Sequence, residues 1–509
     1  MNGQSAAPCF LGIDAGTTAL KAVLFDPAGR VLAAAREEYL LLTPGPARVE
    51  LDAEVYWGTC CRAVRAVIAR SGVAPDRIAA LAISSQGETL IPVDAAGCPT
   101  RNAIVWLDNR AVDEAREIAG RFGVEAIYRT TGQPEVTPTW PACKLLWLRR
   151  HEPATFARTA RFLLVEDFLL HRLTGEFVTE CSVQSSSLLL AIGNKRWWSP
   201  MLEAAGIRAE QLGRLLQPGE VVSPLSRAGA QATGLARQTL AVTGGMDQLL
   251  GAVGAGNIAP GAITEMTGGA LAVVATVGQP SFDPLRRVPV HCHGRPDLYA
   301  LMAWNPTAGM ALKWFRDEFF AAEAEAAIEA GRDPYDDLTA LAASAPAGCQ
   351  GLVMLPHLEG AACPEFNPAA TGVFFGATLR HGRPHFIRSI LEAVAYMLRQ
   401  DVALVQALGV PVQEVRSIGG GARSPLWLQI KADVLQRPVT TLACEEVACL
   451  GAAMLAATAA RHFAGLEEAT AAMVRVRRTF EPTVANAPLY EANYRRYLEL
   501  YERLAPMFG

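Results

Sequence analysis

Residues 8–25, PCFLGIDAGTTALKAVLF, hold two apolar runs parted by Asp14-Ala15-Gly16-Thr17-Thr18. Apolar stretches of this length around a small, polar, glycine-bearing tip predict a strand, a tight turn and a second strand. Residues 261–276, GAITEMTGGALAVVAT, repeat the pattern with Glu265-Met266-Thr267-Gly268-Gly269 at the tip. Two matched hairpins about half a chain apart predict two related domains, each opened by one of them. Between them, Gly254-Ala255-Gly256-Asn257-Ile258-Ala259-Pro260-Gly261 is rich in residues that interrupt regular structure. The domain boundary is set there, giving 1–256 and 257–509.

Outward from the hairpins, each half alternates short β-branched runs with longer helical patterns. Strands are expected at 78–84, 90–94 and 415–418, and helices at 108–120, 155–173, 425–435 and 450–460, the last rich in Gly and Ala and suited to close packing. From Glu467 onward the chain reads as helical and Arg-rich, a solvated outer face. Strands alternating with helices predict α/β domains built on partly parallel sheets.

Composition bounds the function. Over 509 residues, 46 Lys and Arg face 50 Asp and Glu, a net charge of −4, with 51% hydrophobic and 19% charged residues. No basic cluster favours nucleic acid as partner, and the apolar content supports a sizeable core. No apolar run is long enough to span a membrane, and residues 1–8 lack a leader pattern, so the chain reads as soluble and cytoplasmic. Eleven scattered Cys, none in a CxxC pair, suit reduced thiols. His291 and His293 could share one strand face as zinc ligands, but no partner pair follows, and a plain loop or strand is the expectation.

The small-residue loops carry the chemistry. No GxxxxGK[ST] string occurs, and the GxGxxA string at 254–259 follows a helical pattern where a dinucleotide site needs a strand. Asp14-Ala15-Gly16-Thr17-Thr18 offers main-chain N–H groups and two hydroxyls beside a carboxylate able to hold a divalent cation. Thr267-Gly268-Gly269 offers similar donors, and Gly419-Gly420-Gly421 lets an adenine or ribose approach without side-chain clash. Together they predict a nucleotide held in a cleft between the halves.

With these motifs in place the chain resembles the FGGY carbohydrate kinases, and among them the xylulokinase-like members. The resemblance rests on Leu11-Gly12-Ile13-Asp14-Ala15-Gly16-Thr17-Thr18 with Lys21, on 103–110 (AIVWLDNR) and on Lys144-Leu145-Leu146-Trp147-Leu148. It rests further on Gly244-Gly245-Met246-Asp247-Gln248, on 372–376 with 385–392, and on Gly419-Gly420-Gly421-Ala422-Arg423-Ser424 with Trp427 and Gln429. The resemblance implies two actin-like ATPase (ribonuclease H-like) domains around a catalytic cleft, an α/β fold, and ATP with Mg²⁺.

By residue, it implies Asp247 as catalytic base, with Asp14 positioning the metal and Asp247 beside it. It implies nucleotide contacts at Gly16, Thr17, Thr18 and Lys21, at Thr267, Gly268 and Gly309, and at Gly420, Gly421 and Ser424. Sugar contacts are implied at Glu88, Thr89, Trp106, Asp108, Asp247 and Gln248. On local pattern alone Asp247 reads first as a helix N-cap and Asp14 as a turn former; likewise Trp106 reads as core and Asp108 as a helix cap. The resemblance reverses the order for Asp247, which matches the family's base.

The acceptor loop departs from the family pattern. Xylulokinases carry Gln-Met-His-Gly and glycerol kinases Gln-Arg-Glu-Thr where this chain has Gln86-Gly87-Glu88-Thr89, and Gly360-Ala361-Ala362-Cys363-Pro364 stands where many members have Gly-Glu-Arg-Thr-Pro. Gly87 leaves room for an acceptor longer than glycerol, and Glu88 can accept hydrogen bonds from two adjacent hydroxyls. The reading is ATP-dependent phosphorylation of a primary hydroxyl of a ketopentose, D-xylulose foremost. Glycerol, a tetritol or another ketose is the alternative substrate, and an idle nucleotide or sugar sensor is the alternative of another class. The expected partner is a small-molecule sugar or polyol, with no nucleic acid and no membrane, and a homodimer is the assembly state to test.

Overall fold

The opening hairpin forms as read: β1 (Cys9–Ala15) pairs antiparallel with β2 (Ala19–Phe25), placing Asp14 opposite Lys21. The computed structural model describes residues 7–509, so most of the 1–8 segment read for a leader lies outside the described residues. The chain divides into two units whose segments interleave. Unit 1 takes residues up to Ala259, Thr276–Ala300 and Glu446–Val474; unit 2 takes Pro260–Ala275, Leu301–Glu445 and Arg475–Gly509.

Unit 1 is built on a six-stranded sheet that adds β3 (Val31–Glu38), β4 (Ile78–Ser85), β5 (Val221–Pro224) and β6 (Leu240–Met246), in the order β5-β6-β4-β1-β2-β3. Leu11, Ile13, Leu81 and Ile83 are fully buried. Such continuous apolar runs belong to central strands covered on both faces. β1, β4 and β6 run parallel, with Asp14 level with Ser84 and Ser84 level with Gly245. Their carboxyl ends therefore meet at one edge, where ligands bind in open α/β sheets. Helix α1 (Val165–Thr174) packs on this sheet, and α2 (Asp247–Gly254) leaves directly from β6.

Unit 2 opens with β7 (Ile263–Thr267) antiparallel to β8 (Leu271–Val277). Beside β7 run β9 (Val415–Ile418) and β10 (Val439–Leu442), both parallel, then β11 (Val476–Phe480), antiparallel. The pairing senses along β8-β7-β9-β10-β11 repeat those along β2-β1-β4-β6-β5. Helix α3 (Gly309–Phe319) starts beside the β7–β8 tip, and α4 (Pro425–Leu435) follows β9 with the boundaries its sequence predicts. Helix α5 (Val447–Ala459) returns to unit 1. Its Gly451 lies so close to α2 that an added Cβ would sit 2.1 Å from the Leu250 carbonyl oxygen. The small residues of this helix thus permit the close packing expected of them. Helix α6 (Ala487–Leu504) is the last α-helix, followed by a short 3-10 turn at Ala505–Met507.

Three expectations are corrected. The helix predicted over 155–173 is broken: Arg161–Leu163 is a strand paired with Ile91–Val93, and α1 begins only after it. The helix predicted over 108–120 spans Val112–Phe122, because Asp108 is committed to a buried ion pair before it. The tail contains strand β11, and α6 is no mere outer face, since Tyr490, Tyr494 and Tyr497 are buried.

Candidate active site

The parallel register brings two acidic residues to the carboxyl edge of the unit 1 sheet. Asp14, one residue from the end of β1, is partly exposed and accepts a 2.8 Å hydrogen bond from the Ser84 hydroxyl at the end of β4. Asp247 is the first residue of α2, after β6. The N-cap is Met246, so the reading of Asp247 as cap is corrected; its Oδ1 accepts from the neighbouring Gln248 N–H at 2.8 Å. Burial holds the Asp247 carboxyl well above the usual carboxylate range, and the charges of Asp14 and Glu88 push it the same way. Asp14 is also raised, by burial above all, against the Ser84 bond and Lys21. A carboxylate so placed seeks a proton or a cation, which is what a general base beside a metal-assisted phosphoryl transfer requires.

The loop after β4 forms the next wall. Glu88 sits at φ 57° in the left-handed region, fixed by the buried Lys144, whose Nζ donates to the carbonyls of Glu88 (2.9 Å) and Val105 (3.0 Å). Burial raises the Glu88 carboxyl and lowers the Lys144 ammonium. The Ser186 hydroxyl, which donates to the Val183 carbonyl at 3.0 Å, lies near the Glu88 carboxyl and partly offsets that rise. Thr89 is buried, its hydroxyl taken by the Trp106 N–H at 3.1 Å, and the Trp106 indole N–H donates to Thr17 at 2.9 Å. The side-chain oxygen of Gln248 is buried with no partner, as a group awaiting a donor would be.

Asp108 departs from its expected role. Its carboxylate accepts from Val49 N–H and from the Arg110 guanidinium, each oxygen engaged, with no exposed side-chain surface. It braces the loop carrying Trp106 and is not presented to a sugar.

The tip between β1 and β2 is a closed turn: Gly16 N–H bonds the Ala19 carbonyl at 3.0 Å, and Tyr39 donates its hydroxyl to the Gly16 carbonyl. Thr18 is exposed, whereas the Thr17 hydroxyl is occupied by Trp106. Lys21 pairs with Glu446 at 2.6 Å, each side chain about a third exposed. Pairs this open are weak and screened, so phosphate can displace the carboxylate.

Unit 2 carries the other glycine loops. Gly268 N–H closes onto Ala270, and Gly309 N–H at the start of α3 bonds the Gly268 carbonyl at 3.0 Å. The Thr267 hydroxyl does not face out: it donates to Glu265 (2.7 Å) and accepts from Lys431 (2.9 Å). Gly420 is exposed, while Gly421 packs on Thr267. Ser424 caps α4 through the Trp427 N–H. Trp427 and Gln429 are structural, bonding the Leu391 carbonyl and Asp433. Among the described residues, no three acids, histidines or cysteines converge to cage a metal; His291 lies buried within the short strand Val290–Cys292 and His293, also buried, just after it.

Residues 9–254 match the N-terminal domain, and residues 267–460 the C-terminal domain, of the FGGY family of carbohydrate kinases. The chain belongs to the FGGY family. It is 30% identical over 491 residues to the xylulose kinase of Bacillus subtilis, covering 96% of each chain, and 30% identical over 448 residues to that organism's gluconokinase, covering 87% of this chain and 86% of the relative. The crystal structure of xylulose kinase from Rhodospirillum rubrum superposes with a TM-score of 0.88 at 30% identity, covering 98% of this chain and 99% of that one. As an FGGY kinase the chain has the two-domain actin-like ATPase fold and is an ATP-dependent sugar kinase.

Several residues of this FGGY kinase escaped sequence reading. The Glu265–Lys431 pair, 2.6 Å apart and fully buried, ties β7 to α4 beneath the Thr267 tip. A lysine on the apolar face of PLWLQIKADVL was the available signal. Glu166 and Glu180 are likewise fully buried, and nothing local marks them.

Proposed function

We propose that this FGGY kinase transfers the γ-phosphoryl group of ATP to a primary hydroxyl of a ketopentose, D-xylulose foremost, with Asp247 as general base. The observation that carries it is Asp247 at the carboxyl edge of the sheet, raised by burial and by the charges of Asp14 and Glu88. Asp247 takes the proton of the acceptor hydroxyl as that oxygen attacks phosphorus. Glu88 and Gln248 orient the acceptor, and Lys21 neutralises phosphate oxygens held at the tip by Gly16 and Thr18. Unit 2 supplies nucleotide contacts through Gly268 and Gly420, and the domain division proposed remains 1–256 and 257–509.

Raised carboxylates at Asp14 and Asp247 fit a divalent cation, and Mg²⁺ usually takes one or two carboxylates plus substrate phosphates. When bound, Mg²⁺ supplies charge neutralisation across the phosphates. ATP as donor argues for a cytoplasmic reaction; no described helix is long and apolar enough to cross a membrane.

Three acidic groups at one edge disfavour an anionic acceptor such as gluconate. The room expected beside Gly87 is taken by Ser186 and Met246, whose side chains would lie 2.8 Å and 3.4 Å from a Cβ there. ADP release measured with D-xylulose, D-gluconate, glycerol and erythritol tests the reading: kcat/KM is expected to be highest for D-xylulose, and a preference for another acceptor overturns the ketopentose assignment.

A further inference from the structure

Strand β6 delivers Asp247 from an irregular stretch. Along its parallel pairing with β4, Val242 faces Ala82 and Gly245 faces Ser84, so Thr243 and Gly244 together oppose the single residue Ile83. A bulge of this kind withdraws main-chain groups from the ladder and re-aims the strand. Buried N–H groups released in this way need other acceptors.

Two buried acids supply them. The Gly244 N–H donates to Glu166 Oε1 at 2.6 Å. The Met246 N–H donates to the Ser182 hydroxyl at 3.1 Å, and that hydroxyl donates onward to Glu180 Oε1 at 2.8 Å. Glu180 also accepts from the main-chain N–H groups of Ser182 and Val183, which fixes Ser182 in place. Glu166, Glu180 and Ser182 have no solvent-exposed surface. The fit is tight: a Cβ on Gly244 would lie 1.9 Å from the Ile83 carbonyl oxygen, and one on Gly245 2.5 Å from the Ser182 hydroxyl. Burying two carboxyl groups is costly, and apolar residues would fill the space more cheaply. What these acids add is a fixed main chain at Gly244 and Met246, two of the three positions before Asp247.

We propose that Glu166 and the Glu180–Ser182 pair are positioning residues for Asp247, acting through the β6 main chain. The inference rests on Asp247 being the base. Glu180 and Ser182 aim the residue that precedes the base, and Glu166 holds the bulge. Neither acid touches the acceptor. Because burial and the nearby Glu180 favour the protonated form of Glu166, a glutamine there preserves both shape and acceptor oxygen.

The test measures kcat, KM for ATP and the melting midpoint for Glu166→Leu, Glu166→Gln and Ser182→Ala, each alone and combined with Asp247→Asn, using D-xylulose, D-gluconate and glycerol as acceptors. Glu166→Leu and Ser182→Ala are expected to lower kcat about tenfold or more with KM for ATP within twofold, and Glu166→Gln to recover most of that loss. In the Asp247→Asn background the same changes are expected to alter residual turnover less than twofold, since groups acting as a unit are not additive. Ser182→Ala keeps the test decisive if Glu166→Leu fails to fold. Equal losses in both backgrounds, or Glu166→Gln as damaging as Glu166→Leu, overturn the proposal. Parental turnover in Asp247→Asn alone overturns the base assignment instead.

Discussion

Gly309 lies against the main chain of Gly268: a Cβ on Gly309 would come within 2.3 Å of the Gly268 carbonyl oxygen, whereas a Cβ on Gly268 meets nothing within 4 Å. The two glycines at one tip therefore have separate reasons. Gly309→Ala is expected to destabilise by about 1–3 kcal/mol through overpacking, seen as a lower melting midpoint. Gly268→Val is expected to leave that midpoint within a few degrees while weakening ATP binding at least tenfold by calorimetric titration. Parental affinity in Gly268→Val would remove this tip from the nucleotide site.

Asp247→Asn keeps shape but not basicity, so kcat is expected to fall about 10²-fold or more with ATP affinity retained. The substitution also has a pH signature in the nucleotide-free protein. A carboxyl raised on folding holds its proton more tightly when folded, so the parent loses stability as pH rises from about 4, the unfolded value, towards the raised one. Asparagine does not titrate. The melting midpoint of Asp247→Asn is expected to match the parent near pH 4 and exceed it increasingly towards pH 8. A gap independent of pH contradicts the raised carboxyl.

Thr17→Val removes the acceptor of the Trp106 indole N–H, a 2.9 Å bond. Trp106 then loses its tether, and the expected result is a several-fold rise in acceptor KM with a red-shifted tryptophan emission, while ATP affinity changes less than threefold. The opposite pattern, lost ATP affinity with an unchanged acceptor KM, returns Thr17 to the phosphates.

A Cβ at Gly87 would sit 2.8 Å from the Ser186 hydroxyl and 3.4 Å from the Met246 side chain. Gly87→Arg therefore pushes into Ser186 and Met246, in the loop that carries Glu88. The ratio of kcat/KM for D-xylulose to that for glycerol is expected to drop by about 1–3 kcal/mol equivalent, and a constant ratio means Gly87 does not set acceptor size.

The hairpins were legible because paired apolar runs around a small, polar, glycine-bearing tip are local signals, and α4 because Ser424 and Pro425 mark its start. Partners distant in sequence were not legible. Arg161–Leu163 is a strand only because Ile91–Val93 is there to pair with it, and β11, with four of its five residues exposed, exists by pairing with β10. Asp108 looked like a free carboxylate until Arg110 and Val49 closed around it. Thr267 looked like a phosphate ligand until Lys431, far along the chain, took its hydroxyl. Roles that depend on a small residue at a turn could be read; roles that depend on which buried polar groups meet could not.

Helix α5 belongs to unit 1 yet is encoded after most of unit 2. It covers β1 so closely that a Cβ on Gly12 would lie 1.9 Å from the Cys449 carbonyl oxygen. During synthesis on the ribosome, the apolar back of β1 therefore emerges early and stays uncovered until the covering helix is translated. The first unit to be made is among the last to be finished, and the nascent chain needs that face shielded from aggregation in the interval.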